Sequence, residues 1–340
     1  WHTEWLEGPH IYKINGTYYL SAAGGGTGYY HGQLLYRSDS VFGPFEANPK
    51  NPVLTQLGLP DDRENPVTAT GHADMIEDGK GNWWIVFLGT RVYDLHQPPR
   101  DPGNFHTGRE TFMLPVTWED GWPRVLKDKP IPYTVKKPKL PATQSVVRKM
   151  TGNFTVREEF TEPEIGPHWL FMRAPKSKWW HTVDSELIIQ ARTERTGDNK
   201  QPSFIGRRLV HMKAGFSTRM RFVPDSPGDE AGLLAVQNDG FFYAFGLGQN
   251  EAGDTVLRIR RRAGEDNPPG GDTLLEIRIS LEPATPVYLR MGIDKTELDF
   301  SYSLDGAHYI NLLEGADSRI LTTAMAGGFN GAVVGMYAEG

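Results

Sequence analysis

The sequence contains no cysteine among its 340 residues. This absence excludes disulfide bonds, thiolate metal sites and a cysteine nucleophile. No apolar run approaches the roughly 20 residues of a membrane-spanning helix. Basic residues are outnumbered by acidic ones, which gives a formal net charge of −6. We therefore expect neither a nucleic acid nor a membrane surface as a partner.

Glycine and proline are abundant instead. The 38 glycines and 25 prolines favour turn-rich β-structure over helical bundles. Asn15-Gly16, between Ile11–Ile14 and Tyr18–Ala22, is the strongest short signal of a β-hairpin. Residues 72–90 repeat this plan at a spacing typical of propeller blades. Because helical periodicity is weak throughout, the sequence predicts an all-β fold.

The composition changes between residues 127 and 147, where lysines alternate with prolines. Such a segment is typical of an extended linker. The strands predicted after it are short and separated by turns, as in a β-sandwich. We therefore predict domains at residues 1–126 and 148–340, joined by a linker at 127–147.

One predicted strand of the second domain carries a cluster of arginines. Its members are Arg258, Arg260, Arg261 and Arg262. Strand alternation favours ion-paired or solvated side chains here over a binding site.

The first candidate for chemistry is Glu7, in the motif Glu7-Gly8-Pro9-His10. A carboxylate before Gly-Pro lies at a rigid turn, and a predicted strand follows directly. The motif is therefore suited to hold an acid at the mouth of a β-structure. The glycine-rich residues 24–28 lack the Lys-Ser/Thr ending of a phosphate loop and favour a loop close to a sugar.

Nine short blocks follow one another in a characteristic order. Those in the first domain are Glu7–His10, Gly24–His31, residues 40–45, 71–74, 82–84, 108–112 and 120–123. Those in the second domain are Ser203–Arg208 and residues 327–331. In this order they resemble glycoside hydrolase family 43, which contains β-xylosidases and α-L-arabinofuranosidases. The resemblance implies a partial five-bladed β-propeller, about the last two blades, followed by a concanavalin-like β-sandwich.

The resemblance also implies an inverting mechanism with three carboxylates. One Asp is the general base, one Glu the general acid, and a second Asp tunes the pKa of the acid. By the motif match, Glu7 is the general acid. Family members carry both Asp residues upstream of this motif, so we expect them on a separate or cleaved N-terminal segment that acts as a partner.

Three further site residues come from the resemblance. Arg109 corresponds to an arginine that contacts substrate hydroxyls, although an ion pair with Glu110 is the structural alternative. His72 corresponds to a histidine below the sugar, where some members hold a calcium ion; a buried, hydrogen-bonded histidine is the alternative. Phe329 corresponds to a pocket-lining aromatic residue, or it packs between domains. No cofactor is required.

Three polar residues near these positions are ambiguous from the sequence. His10 and His31 flank the same early loops and either could line the pocket, but we expect ordinary histidines of turns, with their hydrogen bonds satisfied. Asp74 lies two residues after His72, and it either faces the same side of a strand or lies on the surface.

These observations predict an exo-acting glycosidase that releases xylose from xylo-oligosaccharides, with activity on α-L-arabinofuranosides as well. A non-catalytic module that binds xylan or arabinoxylan is the alternative. The sandwich would brace the propeller, and relatives commonly form oligomers through it. The triplets Asn15-Gly16-Thr17 and Asn153-Phe154-Thr155 match N-glycosylation acceptors and favour a secreted protein.

Overall fold

A computed structural model describes residues 4–94, 103–136, 152–283 and 285–340. They form two compact units. Of the described residues, the first unit contains 4–94, 103–105 and 109–136, and the second contains 106–108, 152–283 and 285–340. Strands dominate both units, which confirms the predicted all-β class. None of the helices in these ranges has the length and apolar character needed to cross a membrane.

The first unit consists of two antiparallel sheets. Its strands are β1 (Glu7–Ile14), β2 (Thr17–Gly24), β3 (Gly32–Ser38), β4 (Glu46–Ala47), β5 (Leu54–Thr55), β6 (Val67–Glu77), β7 (Trp83–Arg91), β8 (Glu110–Glu119) and β9 (Trp122–Arg124). One sheet has the order β1-β2-β3-β4, with β5 paired to β3, and the other has the order β6-β7-β8-β9. Each is a meander of the kind that forms a propeller blade. The prediction of about two blades is confirmed.

The predicted hairpin joins β1 and β2. Asn15 and Gly16 have φ of 47° and 90°, so both adopt the positive φ that a tight two-residue hairpin turn requires. The two sheets share one apolar core. Leu35 from the first sheet contributes to it together with Ile85 and Phe87 from the second. Burial of these faces fixes the registers of β3 and β7.

Residues 127–136, at the start of the predicted linker, contact the first unit. The side-chain amide of Gln56 donates to the carbonyl of Lys129 and accepts from the N–H of Ile131. Ile131 is buried in the core of the same unit. Residues 137–147 lie outside the described residues, and the domain boundaries stay predictions.

The second unit is a sandwich of two antiparallel sheets. Its strands are β10 (Trp180–Val183), β11 (Glu186–Ile189), β12 (Ser203–Arg208), β13 (Lys213–Met220), β14 (Glu230–Asn238), β15 (Phe241–Gln249), β16 (Thr255–Ala263), β17 (Asp272–Arg278), β18 (Val287–Asp294), β19 (Glu297–Ser303), β20 (Ile310–Asp317) and β21 (Val333–Glu339). The sheets have the orders β12-β21-β14-β15-β16-β17 and β13-β18-β19-β20, while β10 and β11 form a separate hairpin. A 3₁₀ helix (Ser318–Leu321) and a short α1 (Thr323–Ala326) precede β21. The predicted sandwich is confirmed.

A large apolar core lies in the sandwich. Phe245 and Leu257 from the six-stranded sheet pack with Met291 and Phe300 from the four-stranded sheet, and all four are buried. Successive side chains of a strand point to opposite faces of its sheet, so every second residue of the six-stranded sheet lies on the face away from this core.

On that opposite face, a network of buried ion pairs links three strands. Arg260 on β16 lies 2.7 Å from Glu230 on β14 and 2.9 Å from Glu339 on β21. Arg258 binds the other oxygen of Glu230 at 2.9 Å. The expected ion pairing of the arginine cluster is confirmed for these two residues.

Candidate active site

Glu7 is the first residue of β1, and it lies at a β-bulge. The register of β1 on β2 shifts between Glu7 and His10, and Gly8 has φ of +57°. The predicted rigid turn is therefore an irregularity inside a strand. A bulge redirects the side chain beside it. The side chain of Glu7 remains 44% exposed, which leaves its carboxylate accessible.

His72 lies beside this carboxylate. Its Nδ1 atom is 3.5 Å from Oε1 of Glu7. The residue lies within the second of two register shifts in β6, between Gly71 and Asp74, and has φ of 51°. A Cβ atom on Gly8 would lie 2.6 Å from Nε2 of His72, so the missing side chain at position 8 allows this approach. The structure thus brings together two residues that are 65 positions apart, and His72 is exposed rather than buried.

His31 is a site residue for which the sequence favoured the ordinary alternative over a place in the pocket. It is 1% exposed, and its Nδ1 is 2.9 Å from the carbonyl oxygen of Ala69. A carbonyl accepts only, so Nδ1 carries the proton and Nε2 presents a lone pair. Nε2 has no hydrogen-bond partner among the described residues. The expectation of a satisfied turn histidine is therefore wrong for this atom.

Burial lowers the pKa of His31, and this effect outweighs the opposing hydrogen bond to Ala69. The imidazole is consequently neutral at neutral pH. Gly71, the residue before His72, leaves room for the imidazole of His31. A Cβ atom on Gly71 would lie 2.8 Å from Nε2 of His31. The one sequence signal was the position of His31 at the end of the Gly24–His31 block.

Glu7, His31 and His72 form one cluster of possible ligands. One carboxylate oxygen and one ring nitrogen from each histidine all lie within 4.8 Å of one another. Calcium prefers six to eight oxygen ligands. Two nitrogens and one carboxylate do not fit that preference, and the predicted calcium ion stays a prediction.

Arg109 is exposed and lies within electrostatic reach of the cluster. Its positive charge lowers the pKa of His31, although burial and the other neighbours of His31 have larger effects. Glu110 binds Arg91 through both oxygens, at 2.7 and 2.8 Å. This pair joins β7 to β8, which gives Glu110 a structural role.

His10 and Asp74 form a separate polar group with Tyr12. Nδ1 of His10 is 3.0 Å from Oδ1 of Asp74, which also accepts from the hydroxyl of Tyr12 at 2.6 Å. Asp74 is exposed. His72 is exposed too, and Ala73 and Met75 beside them are buried, so Asp74 lies at the surface and on the same side of β6 as His72.

Phe329 belongs to the second unit, in the loop between α1 and β21. Gly327 and Gly328 before it have φ of 70° and 78°, and the phenyl side chain is exposed, at 58%. The loop thus presents an aromatic side chain at the surface of the sandwich unit. Its place in a sugar pocket stays a prediction.

Two family models match the chain. Residues 1–123 match Glycosyl hydrolases family 43, and residues 157–340 match the Beta xylosidase C-terminal Concanavalin A-like domain. The second match alone covers more than half of the chain. Together they correspond to the propeller unit and the sandwich unit.

Curated relatives align over nearly the whole chain. The non-reducing end α-L-arabinofuranosidase BoGH43B of Bacteroides ovatus is 34% identical, over 98% of this chain and 59% of the relative. A putative β-xylosidase of Escherichia coli is 28% identical, over 98% of this chain and 62% of the relative. The chain thus spans about 60% of the length of these relatives.

Solved structures agree with the family models. GH43B from the xyloglucan PUL of Bacteroides ovatus superposes with a TM-score of 0.85 at 32% identity, over 99% of this chain and 62% of that chain. A GH43_12 protein from a capybara gut metagenome gives 0.84 at 32% identity, over 99% and 60%. The chain therefore belongs to glycosyl hydrolase family 43.

Proposed function

We propose that this chain carries the general acid of an inverting, exo-acting glycosidase that releases terminal pentoses. The observation that carries the proposal is the position of Glu7. Its carboxylate is accessible, is held at a strand bulge, and lies 3.5 Å from His72. An accessible carboxylate fixed by the backbone is what proton donation to a glycosidic oxygen requires.

The reaction needs a second carboxylate. In inverting enzymes the acid protonates the leaving oxygen while a base about 6.5–9.5 Å away activates water on the opposite face of the sugar. We propose that this base, and the Asp that tunes the acid, lie on a propeller segment outside these 340 residues. The greater length of the curated relatives supports this proposal.

Arg109 is the proposed substrate-binding residue. Its guanidinium offers a planar fork of donors that suits vicinal hydroxyls. Exposure of Arg109 and its electrostatic effect on His31 support a place beside the acid. Phe329 is proposed to stack on a sugar, because it is an exposed aromatic residue on a glycine-rich loop.

Two pentose substrates have support. β-Xylosides are supported by the sequence blocks and by relatives named β-xylosidase, which are 28% identical or less. The 34% identical relative is named an α-L-arabinofuranosidase, and this favours arabinofuranosides. Comparing kcat/KM on aryl β-xyloside and aryl α-L-arabinofuranoside ranks them.

The test of the proposal is Glu7→Gln in the full-length protein. Loss of the proton donor should lower turnover of a substrate with a poor leaving group by about 100- to 10,000-fold. A dinitrophenyl glycoside needs little protonation, so it should retain most of its rate. Equal losses on both substrates would contradict the assignment of Glu7 as the acid.

The non-catalytic binding module remains the second function. A cleft of about 540 Å³ in the sandwich unit, lined by charged and polar residues that include Arg195, Gln249 and Glu276, is the observation that favours it. Binding of xylo-oligosaccharides without hydrolysis by the full-length protein would favour this function and contradict the first.

A further inference from the structure

An exposed indole lies close to the proposed acid. Trp5 precedes Glu7 by two residues and is 67% exposed. The Cα atoms of the two residues are therefore at most about 7 Å apart. Tryptophan is highly buried on average in folded proteins, and an exposed indole offers a large apolar surface to a ligand. Position and exposure together make Trp5 a candidate for contact with the substrate.

The glycine-rich loop after β2 supports this indole. The N–H of Gly25 donates to the carbonyl of Glu4 at 2.9 Å, so the chain just before Glu7 stays beside the loop. A Cβ atom on Gly26 would lie 2.8 Å from Cε3 of Trp5, which means that the six-membered ring lies against bare backbone. One part of the indole is thus held by the loop, while most of it remains accessible.

Exposure increases from the inside of the site outward. His31 is 1% exposed, the side chain of Glu7 is 44% exposed, and Trp5 is 67% exposed. In an exo-acting glycosidase the terminal sugar is enclosed, and the acid protonates the oxygen that joins it to the rest of the substrate. The leaving part of the substrate must then extend outward from Glu7. Because Trp5 is the more exposed of the two, it lies on that outward side.

The chemistry of an indole suits a sugar ring. Hydroxyl groups surround the rim of the ring, whereas C–H groups cover part of its faces. Packing of these C–H groups on an aromatic side chain removes apolar surface from water, and this stabilises the contact. A small leaving group without a sugar ring gains nothing comparable from the same side chain.

We propose that Trp5 packs against the first sugar of the leaving group and thereby gives the enzyme a preference for saccharide over small leaving groups. The inference rests on the proposed function, because it takes Glu7 as the acid that protonates the leaving oxygen. Contact with a part of the substrate that does not react can still raise kcat/KM, since it stabilises the transition state relative to the free substrate.

The test is Trp5→Ala in the full-length protein, with two substrates that share the same terminal pentose. Xylobiose has a sugar as its leaving group, and β-xylosyl fluoride has a single atom. If arabinofuranosides are preferred, arabinobiose and arabinofuranosyl fluoride replace them. We expect kcat/KM on the disaccharide to fall about 5- to 30-fold, the range for loss of one stacked ring. On the fluoride it should change less than about twofold.

Two further variants serve as controls. Phe42→Ala removes another exposed aromatic side chain of the same unit, in the loop between β3 and β4, and should leave both substrates unaffected. Trp5→Tyr keeps an aromatic ring and should recover most of the activity on the disaccharide. Urea unfolding should show equal stability for Trp5→Ala and the native protein, because the side chain is largely exposed.

Equal losses on the disaccharide and the fluoride would overturn the proposal, since they would indicate that Trp5 supports the fold or packs on another segment of the protein. Unchanged activity on both substrates would overturn it as well. If the native protein hydrolyses neither substrate, the proposed function fails. Calorimetric titration of the native protein and Trp5→Ala with the disaccharide then decides, because equal affinities would exclude contact between Trp5 and a sugar.

Discussion

At the scale of single residues, Gly8 determines how closely the strand that bears Glu7 approaches β6. The residue has φ of +57°, a region that L-residues enter at a cost of about 1–2 kcal/mol. A Cβ atom there would also lie 2.6 Å from His72. The backbone conformation and the close contact both require glycine at this position.

We predict that Gly8→Ala lowers both stability and turnover. The change should cost at least about 1–2 kcal/mol of unfolding free energy, and it should displace Glu7 or His72. Gly79→Ala is the control, since Gly79 has φ of +73° and a Cβ atom there would extend into open space, so it carries only the backbone cost. Urea unfolding and aryl glycoside turnover measure the two effects. Equal turnover in both variants would contradict the role of the close contact.

At the scale of strands, Tyr12 connects β1 with β6. Its hydroxyl donates to Asp74 at 2.6 Å and accepts from the buried backbone N–H of Met75 at 3.0 Å. These bonds tie the first sheet to the strand that carries His72. Tyr12 therefore supports the geometry of the site from outside it.

We predict that Tyr12→Phe destabilises the protein by about 1–3 kcal/mol, because the Met75 N–H loses its partner. Tyr18→Phe, at a partly exposed tyrosine of β2, is the control and should cost less than about 0.5 kcal/mol. Urea unfolding at neutral pH measures both. Similar losses would show that the hydroxyl of Tyr12 contributes nothing specific.

The stabilisation by the Tyr12 hydroxyl should decrease as pH rises. Burial and the bond to Asp74 raise the pKa of Tyr12 above its usual value near 10, and the bond from Met75 opposes them. A group with a raised folded pKa stabilises fully below its unfolded pKa and loses this effect as pH rises. The stability difference between the native protein and Tyr12→Phe should therefore narrow above about pH 10 in pH-dependent unfolding. A constant difference would contradict it.

The six-stranded sheet depends on Glu230. Burial acts to raise the pKa of Glu230, but the charge of Arg260 and a hydrogen bond from Tyr337 leave it lowered. We predict that Glu230→Gln costs about 3–5 kcal/mol, because Arg258 and Arg260 lose a buried partner. Asp294→Asn, in an exposed pair with Lys213, should cost at most about 1 kcal/mol.

The lowered pKa of Glu230 also predicts how the stability of the protein changes at acid pH. A lowered folded pKa stabilises above the unfolded value near 4.3 and is lost as pH falls. The stability difference between the native protein and Glu230→Gln should therefore shrink progressively as pH falls below about 4, as followed by urea unfolding. A difference that is as large at pH 3 as at pH 6 would contradict the proposed cause.

At the scale of the whole molecule, sequence patterns predicted strands where turns or alternation mark them. Asn15-Gly16 defined the first hairpin, and alternation defined β18. Strands β12 and β21 are largely buried along their length, so apolar residues do not alternate with polar ones there.

The candidate site was predicted through family blocks and only in part. Glu7 and His72 meet at bulges of β1 and β6, and a bulge leaves no clear sequence signal. His31 joins them through burial and one backbone hydrogen bond, neither of which local sequence reveals. The remaining features of the site depend on contacts between strands that are far apart in the sequence.

Completion of the propeller gives the last prediction. An inverting reaction needs two opposed carboxylates, and the proposed base lies outside these 340 residues. We expect the 340-residue polypeptide alone to release no pentose from an aryl glycoside, and a longer protein that includes the proposed additional propeller segment to do so. Glu7→Gln in the longer protein is the control and should remove turnover of poor leaving groups. Hydrolysis by the 340 residues alone, lost in Glu7→Gln, would place the base within this chain.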